Sequence, residues 1–217
     1  MHFSVITPQP GREREAVHQM LRGPYREHQW LWRLFPSEPG TQRDHIYRRM
    51  DQGHVPRYCV VSARQPVADS DVWLIRSRPY QPSLAIGDVL EFELCANPVV
   101  TRSEGGKSRR HDVVMDAKKK LAQRAIGHDV YQLMHDACEA WLVKQGKLHG
   151  FVPHEGSLSV EGYAQHVVKD GKLRFSTVDF RGVLTVEDPA LFAQMLVRGL
   201  GHAKAFGCGL MLVRRPI

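Results

Sequence analysis

Short strand-forming runs, interrupted by only a few helical segments, limit the first half of this 217-residue sequence to a mixed α and β fold. Runs of β-branched and aromatic residues predict strands at residues 2–6, 57–63, 71–76 and 89–96. Two helices are predicted between the first two strands, at residues 12–21 and 24–34. Pro24 suits the first position of the second helix, and Pro36 prevents its continuation. The first half therefore has the order β-α-α-β-β-β.

The second half repeats a β-rich pattern. Helices are predicted from Asp116 onward and at residues 129–144, where apolar residues recur at helical spacing. Strands are predicted at residues 157–169, 172–179, 180–186 and 209–214. Asp170-Gly171 is typical of a hairpin turn, and Asp188 is predicted to cap a helix that reaches Arg198.

This order of elements predicts an α+β protein with two tandem ferredoxin-like domains. The predicted domains are residues 1–98 and 116–217, and residues 99–115 form a basic loop or linker between them. No close sequence repeat relates the two halves, so the duplication is inferred from the pattern of elements alone.

The charge balance favours a polyanionic partner. Lys and Arg number 30 against 23 Asp and Glu, a net charge of +7, and a positive surface attracts phosphates. Residues 101–112 have few apolar side chains and two adjacent glycines, which predicts a flexible basic loop, and the basic stretch continues to Arg124. The candidate RNA contacts in this stretch are Arg102, Lys107, Arg109, Arg110, Lys118 and Lys119. An ordinary solvated face explains the same charges equally well.

Metal and cofactor chemistry receive little support from the sequence. The four cysteines are far apart and include no C-x-x-C pair, so buried reduced thiols are expected rather than a zinc site or a redox pair. The histidines match no H-E-x-x-H motif. No metal and no cofactor are therefore predicted. No apolar run approaches the ~20 residues of a membrane span, and a cytoplasmic protein is expected.

Tyr25 and His28 lie three residues apart on the second predicted helix and therefore share one face. The apolar residues of this helix centre on another side, so the pair is expected at the edge of a cleft. Histidine exchanges protons near neutral pH, and a phenol can hydrogen-bond a phosphate oxygen. The pair suits cleavage of a phosphodiester by the 2′-OH of RNA, although the residues alone favour the polar face of an ordinary helix.

A glycine-rich segment, residues 199–210, follows the last predicted helix. Glycines such as Gly207 and Gly209 let a backbone approach phosphate closely, and Lys204 adds a positive charge. A helix precedes this segment and a strand follows it, which is the reverse of the order in a Rossmann dinucleotide site. A simple glycine turn between helix and strand is the alternative.

Three segments, taken in order, resemble one family. They are Tyr25–Pro36, Phe92–Pro98, and Phe180–Val186 leading to Gly201–Leu210. The first resembles the catalytic helix of CasE, the type I-E CRISPR repeat endoribonuclease of the RAMP superfamily. The second resembles the strand of that family that ends in an R/C-A-N-P turn, and the third resembles its C-terminal glycine-rich signature. The order and spacing match over almost the whole chain.

The resemblance implies two tandem ferredoxin-like domains of the RAMP type, which are RRM-like. It implies an enzyme that binds the stem-loop of a CRISPR repeat, cuts pre-crRNA at the base of the stem and stays on the product within Cascade. The catalytic histidine of the family falls on His28 and its supporting tyrosine on Tyr25. The expected products carry 2′,3′-cyclic phosphate and 5′-OH ends, without metal. The expected partners are the repeat RNA and other Cascade subunits, with no membrane.

Two other functions remain open from the sequence. One is a non-catalytic RAMP subunit that holds RNA in a CRISPR ribonucleoprotein without cutting it. The other is a small-molecule enzyme that uses the glycine-rich segment as a phosphate site.

Overall fold

Two antiparallel sheets, each covered by helices, form a mixed α and β fold in the computed structural model, which describes residues 1–21, 23–38, 40–122, 130–168, 171 and 173–216. The first sheet has the strand order β2-β3-β1-β4. Its strands are β1 (His2–Pro8), β2 (His45–Gln52), β3 (Val55–Ser62) and β4 (Trp73–Pro79). All neighbouring pairs in it are antiparallel.

Helices α1 (Glu13–Met20) and α2 (Pro24–Arg33) connect β1 to β2 and cover the first sheet. Pro24 stands at the start of α2, as predicted. The buried side of α2 carries Trp30 and Leu31, which join Tyr58 and Trp73 of the sheet in one apolar cluster. Burial of these large side chains fixes which side of α2 faces the sheet and therefore which side faces outward.

Strand β2 was missed by the sequence analysis, because its charged residues interrupt the alternating pattern. Arg49 pairs with Glu27 and Asp51. Arg48 is only 5% exposed and lies 3.5 Å from Glu93 and 3.6 Å from Asp179. These charges are tolerated inside the strand because each has a charged partner.

The second sheet has the order β11-β5-β10-β8, and β9 also pairs with β10. Its strands are β5 (Val89–Ala96), β8 (Phe151–Pro153), β9 (Ser159–Val168), β10 (Leu173–Val186) and β11 (Met211–Arg214). The helices of this half are α3 (Val113–Ala122), α4 (Val130–His149) and α5 (Pro189–Arg198). The predicted cap of α5 is confirmed, because Asp188 Oδ1 accepts hydrogen bonds from the backbone N–H groups of Ala190 and Leu191 at 2.9 and 3.0 Å.

Strand β5 belongs to the second sheet, although the sequence analysis placed it in the first half. It pairs with β10 on one side and β11 on the other. The sequence pattern identifies a strand but does not identify its hydrogen-bonding partners. The predicted division after residue 98 falls between β5 and the strands with which it pairs.

The predicted flexible loop at residues 101–112 is a β-hairpin, which corrects that prediction. Strands β6 (Val99–Glu104) and β7 (Lys107–Asp112) pair in regular antiparallel register. Gly105 and Gly106 form the turn with φ values of 56° and 75°. Two positive φ values are what a two-residue hairpin turn requires, so the glycines indicate a tight turn rather than flexibility.

The two halves meet through a small apolar cluster of Ile46, Cys59, Val61 and Leu210. Tyr47 of β2 adds a hydrogen bond from its hydroxyl to the backbone oxygen of Ala205, at 3.2 Å. The segment that precedes β11 is therefore packed against the first sheet. The four cysteines are not joined by disulfides, and Cys59, Cys138 and Cys208 are buried.

Candidate active site

Tyr25 and His28 lie together on α2, as the helical spacing predicts. Their ring centroids are 6.4 Å apart, and both side chains are half-buried. Because Trp30 and Leu31 hold the opposite side of α2 in the core, this pair faces the second half of the molecule. The pair meets the short 3₁₀ turn Lys204–Phe206 in the glycine-rich segment.

A row of aromatic rings continues from His28 into the second half. The ring of Phe206 lies 5.7 Å from His28 and stacks on Phe175 at 4.8 Å, and Phe175 stacks on His166 at 4.8 Å. We call His28, Phe206, Phe175 and His166 the aromatic row. The sequence analysis missed the last three, since nothing local in the sequence signals that residues so far apart along the chain will stack.

His45 lies behind this site as a neutral imidazole. Its ring stacks on Phe35 at 4.3 Å and meets the edge of Trp32 at 5.6 Å. Burial, together with the positive charge of Arg43, lowers the pKa of His45 to about 4. Neither ring nitrogen has a hydrogen-bond partner among the residues that the structure describes. His45 Nδ1 lies 3.6 Å from Asp44 Oδ1, but burial outweighs this carboxylate, so His45 adds a ring rather than a charge.

Two cations, Arg43 and Lys204, lie beside the aromatic row. Lys204 Nζ donates a hydrogen bond to the backbone oxygen of Arg198 at 2.9 Å. Burial lowers the pKa of Lys204, and the charges of Arg43 and Arg198 lower it further. Burial also lowers the pKa of Arg43, a residue that the sequence analysis did not select. Within the described part of the chain, no carboxylate contributes to either shift, so this positive charge is suited to an anion such as phosphate.

The glycine-rich segment holds Lys204 and Phe206 in place through close packing. At Gly207, where φ is 82°, an added Cβ would lie 3.2 Å from the Tyr47 ring. At Gly209, where φ is 91°, it would lie 2.5 Å from the backbone oxygen of Leu200. Both glycines are buried, and the N–H of Gly209 already donates to the backbone oxygen of Cys95 at 2.8 Å. Their position indicates that they shape the turn; direct contact between these glycines and RNA stays a prediction.

The basic residues chosen from the sequence are spread over the β6–β7 hairpin and α3. Arg102 pairs with Asp116 at 2.7 Å, which lowers the pKa of that carboxyl to about 2. Lys118 Nζ lies 5.8 Å from the centre of the Tyr163 ring. The other four are exposed: Lys107, Arg109, Arg110 and Lys119. Arg124 lies outside the described residues.

A cleft of about 560 Å³ opens between the β6–β7 hairpin, the β9–β10 hairpin and the 3₁₀ turn. We call it the hairpin cleft. Its wall includes three members of the aromatic row, and its positive groups are Arg110 and Arg174. His202 also lines it, and burial lowers the pKa of this histidine. The cleft therefore begins beside His28 and is lined by rings and positive charges.

One group of side chains could hold a metal ion, but it lies on a different helix. Ligand atoms of His135, Asp136 and Glu139 on α4 lie within 4.8 Å of one another. Such acidic groups are common without a metal, and these residues are separate from α2. In the described parts of the chain, no helix is both long and apolar enough to cross a membrane.

Comparison with known proteins places this arrangement in a family. The model of a family described as CRISPR associated protein matches residues 1–215. The CRISPR system Cascade subunit CasE of Escherichia coli (strain K12) is 32% identical over 193 residues, which cover 86% of this chain and 89% of that protein. The chain belongs to this family of CRISPR-associated proteins. The resemblance to CasE that the sequence analysis stated is thereby confirmed.

Solved structures share the fold of this CRISPR-associated protein. Thermus thermophilus Cse3, bound to an RNA representing a pre-cleavage complex, has a TM-score of 0.72 and 24% identity over 98% of each chain. The crystal structure of Cas6e from Escherichia coli K-12 has a TM-score of 0.65 and 21% identity over the full length of both chains. At these identities the similarity establishes the fold.

Proposed function

We propose that this protein is an endoribonuclease that cuts the repeat RNA of a CRISPR transcript. The observation that carries the proposal is the position of His28, whose ring lies beside Tyr25 and beside Phe206 of the 3₁₀ turn that begins at Lys204. A proton-exchanging group next to unneutralised positive charge suits a reacting phosphodiester. The similarity to a Cascade subunit and to an RNA-bound endoribonuclease supports the same substrate.

The chemistry would be attack by the 2′-OH of the RNA on the adjacent phosphate. Binding would hold the 2′-OH in line with the phosphate, which supplies much of the acceleration. His28 would exchange a proton with the 2′-OH or with the 5′-oxygen that leaves. Tyr25 would orient the nucleophile or the phosphate. Lys204 would stabilise the charge that develops on the phosphate, and the product ends would be 2′,3′-cyclic phosphate and 5′-OH, without metal.

The substrate would be the stem-loop of the repeat, cut at the base of its stem. Exposed cations of the β6–β7 hairpin, among them Lys107, Arg109 and Arg110, would contact phosphates of the stem. Lys118 and Lys119 of α3 are further candidates, whereas Arg102 would first have to leave Asp116. The product would remain bound in the cytoplasm as part of Cascade.

The fold we propose for this task is two ferredoxin-like halves. The strand order of the first sheet is the order β4-β1-β3-β2 of that fold, with α1 and α2 after its first strand. The second half has the same order if β5 is its first strand and β11 its fourth. The boundary between the halves would then lie between β4 and β5.

A cleavage assay with two substrates tests the proposal. The purified protein is incubated in EDTA with labelled repeat RNA, and with the same RNA carrying a 2′-deoxy group at the cut position. We expect a single cut in EDTA that the 2′-deoxy group abolishes. Cutting only with added metal would contradict the metal-independent chemistry, and absence of binding would contradict the substrate.

Tight binding without a cut would instead identify an RNA-holding subunit, the first alternative from the sequence. Absence of RNA binding would instead leave the second alternative, a small-molecule enzyme, open.

A further inference from the structure

The hairpin cleft has no part in the chemistry proposed above, although it begins beside His28. Its volume is about 560 Å³, within the roughly 300–1,000 Å³ that is typical of small-molecule sites. A space of this size admits one nucleotide unit but not an RNA duplex. The occupant would therefore be a single nucleotide of an RNA strand.

The walls of the cleft are suited to a flat aromatic group. Phe206, Phe175 and His166 line it and stack on one another at 4.8 Å. The Nε2 atom of His166 is hydrogen-bonded to the Thr177 hydroxyl at 2.9 Å, and burial lowers the pKa of His166. Phe206, Phe175 and His166 therefore present rings on which nucleobases of any type stack.

Apolar side chains around the cleft are more exposed than side chains of their type usually are in a packed structure. Met115 is 39% exposed, Leu173 is 36% exposed and Val167 is 59% exposed. All three line the same cleft, and together they form an apolar rim. A base seated there would cover part of this rim.

The charge of the cleft is also suited to a nucleotide. Arg110, Arg174 and His202 contribute positive or titratable groups, and Asp112 is the carboxylate that lines it. Asp112 accepts hydrogen bonds from Ser176 Oγ and from the backbone N–H of Met115, so both of its oxygens already have donors within the protein. Positive groups remain to meet a phosphate, while the rings meet a base.

We propose that the hairpin cleft binds the base of an unpaired nucleotide that flanks the scissile phosphate, stacked against the aromatic row. Phe206 touches both the His28 ring and the Phe175 ring, so a phosphate at His28 would lie about one nucleotide from a base in the cleft. This inference rests on the proposed function for the identity of the RNA. It adds a site for a single extruded base beside a duplex that is held elsewhere.

The test uses a repeat RNA that carries a 2′-deoxy group at the cut, so that it stays intact. In two versions of this RNA, fluorescent 2-aminopurine replaces one or the other base that flanks the cut. We expect quenching of one version on binding to the wild-type protein. Phe175→Leu should remove the quenching, Phe175→Tyr should retain it, and Tyr80→Leu, which removes a ring from a separate groove, should leave it unchanged.

A second readout uses cleavable RNA with an abasic site at the same position. Loss of one stacked base is expected to slow cleavage by about 10- to 100-fold at subsaturating protein. In the Phe175→Leu variant, the abasic site should slow cleavage little further, because the abasic site and the substitution remove the same stacking contact between the base and Phe175.

The outcomes separate the two proposals. If neither 2-aminopurine is quenched, or if the abasic and Phe175→Leu effects multiply, the cleft proposal is wrong even when cleavage is normal. If the cleavable repeat RNA, with its 2′-OH at the cut position, is bound and not cut, the proposed function is wrong, and the quenching still decides whether the cleft holds a base. Failure to bind the RNA at all would overturn both.

Discussion

His28 lies between the rings of Tyr25 and Phe206, half-buried at the edge of the hairpin cleft. Its neighbours come from two distant parts of the chain, so the imidazole is positioned by both halves. General acid–base catalysis by a positioned side chain contributes roughly 10²–10⁴-fold to a rate. The role proposed for His28 is therefore measurable by substitution.

His28→Ala is expected to slow cleavage of the repeat RNA by about 10²–10⁴-fold while leaving affinity for the RNA hairpin unchanged. The reason is that the substitution removes a proton-exchanging group but no positive charge of the RNA-binding surface. Single-turnover cleavage and equilibrium binding measure the two quantities separately. An equal loss of both would contradict the catalytic role.

His45 predicts a pH dependence of stability. Its pKa is lowered to about 4 in the folded protein, against about 6.5 for an unperturbed histidine. Below pH 6.5 the unfolded chain binds a proton that the folded protein does not, so the stabilising contribution is complete above pH 6.5 and is lost as the pH falls. The free energy of unfolding should decrease by at most about 1.4 kcal/mol per pH unit between pH 6.5 and 4.

Denaturant unfolding at several pH values checks this effect, with His45→Phe as the comparison. The variant keeps a ring against Phe35 but has no titrating group, so its stability should depend less on pH in this range. Identical pH dependence in the two proteins would show that His45 does not titrate as proposed.

At the scale of elements, α2 and the segment before β11 form the site together. The apolar side of α2 could be predicted from spacing alone, and with it the shared face of Tyr25 and His28. The conformation of the turn that carries Phe206 could not be predicted in this way. It depends on contacts with Tyr47 and Leu200 in other parts of the chain. A pair on one helix is a local property, whereas a row of stacked rings from separate elements is not.

The same distinction explains the errors in the predicted elements. Strand β2 was hidden because Arg48 and Arg49 find their charged partners only in the folded protein. The β6–β7 hairpin was described as a loop because its exposed strands bury few apolar residues. Strand β5 was recognised from its own sequence, but the sheet to which it belongs is decided by β10 and β11.

Gly207→Ala is expected to destabilise the protein and to slow cleavage. A left-handed conformation costs an alanine roughly 1–2 kcal/mol, and crowding against Tyr47 adds about 1–3 kcal/mol. Relief of this crowding would move the adjacent Phe206 away from His28. Thermal unfolding and cleavage rates measure the two effects.

Gly53→Ala is the matched control, because Gly53 also has a positive φ, of 65°, but an added Cβ there has no neighbour within 4 Å. The Gly53→Ala variant should lose only the stability that the left-handed backbone conformation costs an alanine, and it should retain full cleavage. Equal effects of the two substitutions would contradict the role assigned to the contact between Gly207 and Tyr47.

At the scale of the whole molecule, the excess of positive charge is concentrated where RNA is proposed to bind. Lys107→Ala, on the exposed hairpin strand β7, should weaken RNA binding and lower the slope of log affinity against log salt by about 1. Arg76→Ala removes one positive charge from a separate groove lined by Phe3 and Arg78, and should leave the slope unchanged. Binding titrations over a range of salt concentrations compare the two variants. Equal changes in the slope of log affinity against log salt would indicate that the RNA is attracted by net charge alone.

The pairing of β5 has a consequence for how the protein is made on the ribosome. β5 is synthesised before the helices of the second half, but one of its neighbours, β11, is synthesised after all three of them. Sheets that depend on such distant pairing fold slowly and expose strand edges meanwhile. Since Phe206 lies just before β11, His28 would acquire its aromatic neighbour only after all the elements from β5 to α5 have been made. A nascent chain would therefore carry its histidine through the synthesis of those elements without an assembled site around it.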